Sequence, residues 1–323
     1  MKVLVVGGAG YIGGAVTDLL RETSHEVRVY DALLYEEGYR KPISFFYGDI
    51  RDRESLRPHL EWADAVVWLA ALVGDGACAL NPDVAKEINQ EAVEWLAANY
   101  DGRIVFMSTC SVYGAQDKEL DESSPTNPLS VYAVTKLAAE RALAEKNAIV
   151  FRLGTIFGVG DLFSRIRLDL VVNILVVRAW TEGRVKVFGG DQFRPLLHAK
   201  DAALAVVQNL ETPHTGVFNL HRQNVRIIDL AYQVRNHFPD MTIEHTEMTF
   251  QDARNYRVRS DRAIATFGFR PRYSIDDGIE EVKELMRTHR IRDVENPRYT
   301  NQSFLAKFGT HLLASPEPTR LAV

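Results

Sequence analysis

The chain has little of several features that mark other classes of protein. Two cysteines among 323 residues, Cys78 and Cys110, are too few for a disulfide framework or a cysteine-based metal site. No apolar run reaches the length of a membrane span, and a net charge of −5 gives no basic footprint for nucleic acid. The scarcity of cysteine favours a reducing compartment. We therefore expect a cytoplasmic protein that holds no metal and contacts neither membrane nor nucleic acid.

A glycine-rich loop near the start of the chain carries the clearest motif. It follows the short β-branched run Lys2–Val6, which is typical of a strand buried on both faces of a parallel sheet. Gly7 permits a tight turn, Gly10 lets the backbone approach a pyrophosphate, and Gly13 lets a helix pack closely on the strand. The pyrophosphate then lies on free N–H groups at the positive end of that helix. The spacing predicts a dinucleotide-binding loop.

Acidic residues follow the next two predicted strands. Asp31 ends the strand at residues 26–30, where a carboxylate accepts hydrogen bonds from the adenosine ribose and repels a 2′-phosphate. This favours NAD over NADP, whereas a glycine-rich turn that binds no nucleotide would not need the acidic residue. Asp49 follows the strand at residues 43–47. It could reach the adenine amino group, cap the helix that begins at Arg53, or do both.

Strand and helix signals alternate through the first half of the chain, which predicts a doubly wound parallel sheet. After Ser164 the alternation lapses. We expect an α/β protein with a Rossmann-type NAD-binding domain and a smaller mixed α/β substrate-binding lobe. Residues 1–164 plus 200–234 would form the NAD-binding domain, residues 165–199 plus 235–300 the smaller lobe, and residues 301–323 a tail.

A tyrosine and a lysine four residues apart carry the predicted chemistry. Tyr132 and Lys136 share one face of a predicted helix. An ammonium group and the positive nicotinamide would lower the phenol pKa, so that a phenolate could take a proton from a sugar hydroxyl. Thr109, at the end of the preceding strand, can hydrogen-bond the same hydroxyl. The alternative is a surface pair, since this spacing is common by chance.

These motifs together resemble the extended short-chain dehydrogenase/reductase family, specifically its nucleotide-sugar epimerases and dehydratases. The resemblance covers nearly the whole chain and implies a catalytic triad of Thr109, Tyr132 and Lys136, of which Lys136 would bind the nicotinamide ribose as well. It also implies NAD bound along the N-terminal domain and a nucleotide-diphosphate sugar held by the C-terminal part. The implied NAD-binding residues are Gly7, Gly10, Tyr11, Ile12, Gly13, Asp31, Asp49, Ile50, Leu69, Ala70, Ala71 and Lys136. A closer resemblance links the chain to bacterial GDP-heptose 4-dehydrogenases.

Departures from the family pattern narrow the expected activity. In the 4,6-dehydratases an Asp-Glu pair follows the catalytic threonine, but here Cys110 and Ser111 stand there, and neither readily does that acid–base work. Thr155 stands where the family usually has an asparagine that contacts the substrate. The expected substrate-binding residues are Cys78, Thr155, Arg167, Asn173, Arg194 and Arg254. Each arginine is equally compatible with a solvated charge or an ion pair, and Cys78 is more easily explained as a small buried hydrophobe.

The favoured function is NAD-dependent oxidation at C4 of a nucleotide-diphosphate sugar, with release of a 4-keto product. The same residues would serve a 4-epimerase. In that enzyme the keto intermediate rotates in the cleft and takes the hydride back on its other face. A nucleotide-binding scaffold without turnover is a third hypothesis, against which the three intact catalytic residues argue. The resemblance also implies a homodimer, in which the apolar faces of the helical patterns at residues 84–100 and 131–146 would make a four-helix contact; the alternative is that these faces pack only on their own sheet.

Overall fold

The computed structural model describes residues 1–161, 163, 165–246 and 255–313. Its strands are β1 Lys2–Val6, β2 Glu26–Asp31, β3 Ser44–Tyr47, β4 Ala65–Trp68, β5 Arg103–Thr109, β6 Glu119–Leu120, β7 Ala148–Leu153, β8 Thr155–Phe157, β9 Arg184–Phe188, β10 Phe193–His198, β11 Gly216–Leu220, β12 Gln223–Arg226, β13 Thr242–Thr246 and β14 Arg257–Val258.

Its α-helices are α1 Tyr11–Arg21, α2 Arg53–Trp62, α3 Asp75–Leu80, α4 Pro82–Lys86, α5 Ala92–Asn99, α6 Val131–Ala142, α7 Val171–Glu182, α8 Ala199–Gln208, α9 Ile227–His237, α10 Asp261–Phe267, α11 Ile275–Arg287 and α12 Asn301–Leu312. A π-helical turn, Glu87–Glu91, joins α4 to α5, and 3₁₀ turns form at Cys110–Tyr113 and Pro297–Tyr299. Among the described residues, no helix is both long and apolar enough to cross a bilayer.

The large sheet has seven parallel strands in the order β11-β7-β5-β4-β1-β2-β3. Alternate residues of β1 serve two separate cores, because successive side chains of a strand point to opposite faces. Val3 and Val5 pack with α1 and α8, whereas Leu4 and Val6 pack with α2, α5 and α6. The predicted Rossmann-type, doubly wound sheet is therefore confirmed.

A smaller lobe forms from the later part of the chain. It contains a mixed three-stranded sheet in the order β12-β10-β8 and the parallel pair β13-β9. Apolar residues of α7, α9 and α11 form its core. Since β11 returns to the large sheet beside β7, the chain crosses between the two parts of the molecule more than once.

One stretch differs from the sequence-based expectation. Residues 301–312, expected to belong to a tail, form α12, because Phe304 and Leu305 pack into the core that covers one face of the large sheet. The remainder of the expected tail, residues 314–323, lies outside the described residues.

Candidate active site and cofactor cleft

The glycine loop leaves no space for side chains where the sequence has glycine. Gly7 has a φ of +89°, and a Cβ there would lie 2.4 Å from the Ala70 nitrogen. A Cβ on Gly13 would lie 2.3 Å from the Gly7 carbonyl oxygen. The loop therefore turns tightly over the end of β4, and its backbone, together with Gly10 and Ile12, lines a large cleft at the carboxyl ends of the strands.

Tyr11 lines the same cleft, but its side chain serves another purpose. Its buried hydroxyl donates a hydrogen bond to the Gly158 carbonyl, which lies just after β8. Burial raises the pKa of Tyr11, so the phenol stays protonated and remains a donor. The side chain thus ties α1 to the segment leading into the smaller lobe, and only the backbone of Tyr11 is left to face a nucleotide.

Asp31 lies at the end of β2 with its carboxylate held in place. One oxygen accepts a hydrogen bond from Ala9 N at 2.9 Å and the other from Leu33 N at 2.8 Å. Burial raises the pKa of Asp31, while these two bonds act in the opposite direction. Each carboxylate oxygen has a second lone pair, so the group can still accept hydrogen bonds from ribose hydroxyls.

Asp49 does not cap a helix. Its carboxylate receives the Arg51 guanidinium, with a shortest N–O distance of 2.7 Å. The N-cap of α2 is Asp52, which accepts a hydrogen bond from Ser55 N at 3.2 Å. The capping alternative is therefore wrong for Asp49. Asp49 and Ile50 line the end of the cleft nearest Asp31, where the family pattern implies the adenine.

The loop after β4 forms the middle of the cleft and includes Leu69, Ala70 and Ala71. Asn89, within the π-helical turn, holds this loop through two hydrogen bonds. Its side-chain oxygen accepts from Leu72 N at 2.8 Å and its nitrogen donates to Leu72 O at 2.9 Å. A π-helical turn is frequent at functional sites. Asn89 therefore positions the cleft without lining it.

Cys78 does not reach the cleft. The side chain is fully buried in α3, where its thiol lies 3.4 Å from the Leu72 carbonyl oxygen. Burial raises the pKa of Cys78 to about 12, which keeps the thiol neutral. The expected substrate contact is corrected to a packing role, because α3 turns the side chain into the core.

The three predicted catalytic residues line one wall of the cleft. Thr109 is the last residue of β5, and its side-chain oxygen accepts a hydrogen bond from Ser111 N at 3.1 Å. Tyr132 lies in the first turn of α6, whose N-cap Ser130 accepts a hydrogen bond from Ala133 N at 3.2 Å. One turn further, Lys136 points the same way and is buried. The sheet and one capped helix together place the three groups.

Burial dominates the electrostatics of this wall. It raises the pKa of Tyr132, and Arg167 is the main cation that lowers it. Burial lowers the pKa of Lys136 to about 7, against the attraction of Glu140. From the sequence we expected Lys136 to lower the phenol pKa. In the structure Arg167 is the cation that lowers the pKa of Tyr132, and burial disfavours the charged form of Lys136.

A buried ion pair between Glu140 and Arg152 lies one helical turn after Lys136. Glu140, one turn after Lys136, accepts hydrogen bonds from Arg152 at 2.6 to 3.1 Å and from Ser108. Arg152 also donates to the Tyr113 hydroxyl at 2.9 Å. Sequence reasoning missed Glu140 and Arg152. The spacing of four between Lys136 and Glu140 was the available signal.

Three of the predicted substrate residues, Thr155, Arg167 and Arg194, line the same cleft, and Thr155 and Arg194 belong to the three-stranded sheet of the smaller lobe. Arg167 is held by Asp169 at 2.9 Å, and Arg194 is 6% exposed with its guanidinium 2.8 Å from the Phe193 carbonyl oxygen. Arg254 lies outside the described residues. Arg167 and Arg194 are therefore neither simple surface charges nor free to rotate.

Asn173, expected to bind the substrate and a candidate for its phosphates, is corrected to a positioning residue. It is 1% exposed, and its side-chain nitrogen donates to Arg167 O at 2.8 Å and to Gly158 O at 3.1 Å. Its side-chain oxygen accepts from Gly158 N at 3.0 Å. The oxygen and the nitrogen of this side chain are therefore both hydrogen-bonded to backbone groups of Gly158 and Arg167. Asn173 could bind a phosphate only if these bonds were broken.

A model of the NAD-dependent epimerase/dehydratase family matches residues 3–220. The chain belongs to this family. Among its relatives, the UDP-glucose 4-epimerase of Lactobacillus helveticus is 28% identical, with 90% of this chain and 98% of the relative covered. The UDP-glucose 4-epimerase of Streptomyces lividans is 30% identical over 63% of this chain and 70% of its own length.

Solved structures of related proteins share the fold of this family member. The UDP-glucose 4-epimerase of Thermus thermophilus, in complex with NAD, has a TM-score of 0.77 at 23% identity, and the match covers 90% of this chain and 100% of the other. MoeE5 in complex with UDP-glucose and NAD has a TM-score of 0.74 at 25% identity, covering 89% and 99%. The expected family membership is confirmed.

NAD is the cofactor of this family, and the cleft of this member fits it. The backbone of the glycine loop leaves space that a Cβ on Gly7 or Gly13 would fill. Asp31 lines the cleft with a carboxylate that disfavours a 2′-phosphate. Lys136 and Tyr132 line the same cleft. The prediction of NAD as cofactor is confirmed.

Proposed function

We propose that this chain oxidises C4 of a nucleotide-diphosphate sugar with Tyr132 as the base. The observation that carries the proposal is the position of Thr109, Tyr132 and Lys136, which line the same cleft as the glycine loop. In this arrangement the Tyr132 phenol and the Thr109 hydroxyl can both reach one substrate hydroxyl. A scaffold without turnover would have no use for this arrangement.

Each catalytic side chain has a separate task. Bound NAD⁺ supplies the acceptor for the hydride that leaves C4. Tyr132, as its phenolate, takes the proton of the C4 hydroxyl, and Thr109 orients that hydroxyl. The positive charges of Arg167 and Lys136 favour the phenolate over the phenol. Glu140 keeps Lys136 partly protonated despite its burial.

The fate of the 4-keto sugar separates two outcomes. Return of the hydride to the other face gives a 4-epimerase, which the UDP-glucose 4-epimerase relatives support. Release of the keto sugar gives a 4-dehydrogenase, which is compatible with the same residues. A dehydratase is less well supported: Cys110 is buried with its thiol 3.2 Å from Arg152 O, and Ser111 lies 3.3 Å from the Tyr256 hydroxyl. Neither position has a carboxyl group to eliminate water.

The substrate would lie between the catalytic wall and the smaller lobe. Arg194 and Arg254 would bind the pyrophosphate, because a guanidinium fork matches phosphate oxygens. Thr155 and Arg167 would contact the sugar or its phosphates. In this division of labour, residues 1–164 plus 200–234 bind NAD, and residues 165–199 plus 235–300 bind the nucleotide sugar.

We also propose a cytoplasmic homodimer built through the helices around residues 84–100 and 131–146. Val134 on α6 is 49% exposed and Leu129, just before this helix, is 51% exposed, so the two leave apolar surface open beside α6. Light scattering on the purified protein tests this. Val134→Glu should convert a dimer to a monomer, whereas a wild-type monomer would contradict the proposal.

The reaction is tested by anaerobic mixing of stoichiometric enzyme with GDP-, UDP- and dTDP-sugars. The near-ultraviolet absorption of reduced nicotinamide is followed, and the sugar product is identified by NMR. A C4 epimer without net reduction would establish the epimerase, and lasting reduction with a 4-keto sugar would establish the dehydrogenase. Absence of any change with all sugars would contradict the proposal.

A further inference from the structure

The last part of the described chain, residues 296–313, lies along the cofactor cleft. It comprises the turn Pro297–Tyr299 and α12. Side chains from this segment line the same cleft as the glycine loop and Asp31, among them Arg298, Asn301, Gln302 and Phe304. A segment that sequence reasoning treated largely as a tail therefore forms one wall of the NAD site.

The start of α12 connects both sides of the cleft. The Asn301 side-chain nitrogen donates to Val73 O at 2.6 Å, in the loop after β4. The Asn301 backbone N–H donates to the Asp169 carboxylate at 2.9 Å, on the side of the smaller lobe. Because Asp169 also holds Arg167, this single residue links the cofactor loop to the predicted substrate wall.

Other residues of the segment reach the implied adenine side. The Phe304 ring lies 4.9 Å, centroid to centroid, from the ring of Tyr35, in the loop that follows β2. The Arg51 guanidinium, which pairs with Asp49, donates to Leu313 O at 3.0 Å. The segment thus contacts the cleft from its middle to the end where Asp49 lies.

Two buried polar atoms under this segment lack partners within the described chain. They are Nε of Arg165, a residue 6% exposed, and Oδ1 of Asn301, a residue 3% exposed, and both residues line the cleft. The Arg165 guanidinium also lies 3.3 Å from the centre of the Tyr35 ring. Buried donors and acceptors are nearly always satisfied. A donor and an acceptor together suit a ligand that carries hydroxyl and phosphate oxygens.

We propose that residues 296–313 are a strap that closes the cofactor cleft and retains the dinucleotide between turnovers, with Arg165 and Asn301 bonding its oxygen atoms. The dinucleotide leaves only after the strap detaches, which requires loss of the Asn301 bonds and of the Phe304 contact. The inference needs only the family's cofactor and does not depend on the proposed C4 chemistry. Retention suits a redox-neutral cycle, in which the reduced cofactor must stay to return its hydride.

The test is the rate at which bound NADH leaves full-length protein. The protein is loaded with NADH, chased with excess NAD⁺, and followed by nicotinamide fluorescence. Asn301→Ala removes the bond to Val73 but keeps the apolar packing of α12, whereas Phe304→Ala loosens the contact with Tyr35. Ser303→Ala, at an exposed position of the same helix, is the matched control. Circular dichroism shows that each variant is folded.

We expect NADH to leave at least tenfold faster from both Asn301→Ala and Phe304→Ala, with Ser303→Ala within twofold of wild type. Variants that purify without nucleotide while the wild type retains it would give the same support.

Equal release rates in all four proteins would overturn the strap. A higher KM for the sugar in Asn301→Ala with unchanged NADH release would also overturn it, because Asn301 would then face the substrate. If the wild type turned over no sugar but the variants released NADH faster, the strap would stand and the proposed reaction would fail.

Discussion

Replacement of Lys136 by methionine should stabilise the nucleotide-free protein at low pH, although it removes the partner of the catalytic base. Lys136 is 4% exposed, and burial lowers its pKa from 10.5 to about 7. The charged form is therefore more costly in the folded state than in the unfolded chain. Methionine has a similar shape and carries no charge, so Lys136→Met removes this cost at every pH.

The sign of the effect follows from proton linkage. Below about pH 7 the lysine is charged in both states, and the folded state carries the whole cost. Between pH 7 and 10.5 only the unfolded chain holds the proton, so the cost fades as the pH rises. At about 1.36 kcal/mol for each pKa unit, the full cost is about 5 kcal/mol. The substitution also removes the ammonium group's contact with the Phe106 ring at 4.3 Å, which is worth about 1–2 kcal/mol.

We therefore expect Lys136→Met to raise the free energy of unfolding by about 3 kcal/mol at pH 6 and by about 1 kcal/mol at pH 9.5, where one pKa unit of the cost remains. Urea titrations of nucleotide-free protein, followed by circular dichroism across this range, measure the difference. Lys146→Met, at the exposed pair with Asp101, serves as the control and should show little change. A difference that does not vary with pH, or a variant less stable than wild type at pH 6, would refute the reasoning.

Three other substitutions test the site. Tyr132→Phe should lower turnover roughly a thousandfold while NADH affinity stays within about twofold, as measured by steady-state kinetics and fluorescence titration. Asp31→Asn should weaken NAD binding and raise the ratio of NADP to NAD affinity about tenfold or more by calorimetry, and an unchanged ratio would contradict the role of the carboxylate. Glu140→Gln should cost about 3–5 kcal/mol of unfolding free energy in urea, because it leaves the buried Arg152 charge unpaired, whereas the exposed Glu145→Gln should cost less than about 0.5 kcal/mol.

The parts of the molecule that could be predicted well from the sequence are those set by local spacing. The glycine loop depends on three residues within seven positions, because backbone atoms approach too closely for a Cβ on Gly7 or Gly13. Tyr132 and Lys136 share a helix face because four residues make about one turn. The seven-stranded sheet follows from buried β-branched runs separated by helices, a pattern that few other architectures produce.

The errors arose where the tertiary structure decides which partner a side chain finds. Asn173 has the polar character of a phosphate ligand, but Gly158 and the Arg167 backbone bond to it instead. Cys78 lies in a stretch with little helical signal, and α3 buries its thiol. Asp49 forms an ion pair with Arg51, two residues away, and does not cap α2. Which of these partners it finds depends on the tertiary positions of both residues.

The C-terminal wall was missed for a related reason. The segment is polar overall, and its apolar residues Phe304, Leu305 and Phe308 form a narrow stripe that packs only because a core from the first half of the chain lies beneath it. The sequence also gave no sign that Arg165 lines the cleft. Its contact with the Tyr35 ring brings together two loops that are far apart in sequence. Local pattern cannot reveal such contacts.

The most direct test of the central claim is the path of the hydrogen on C4. The nucleotide sugar found to react is prepared with deuterium at C4 and mixed with stoichiometric enzyme for a single turnover, and the deuterium is located by NMR and mass spectrometry. We predict that it passes to the nicotinamide and is either returned to C4 of the epimer or retained on the cofactor beside a 4-keto sugar. Product formation with the deuterium never leaving C4, or with hydride taken from another carbon, would contradict the account.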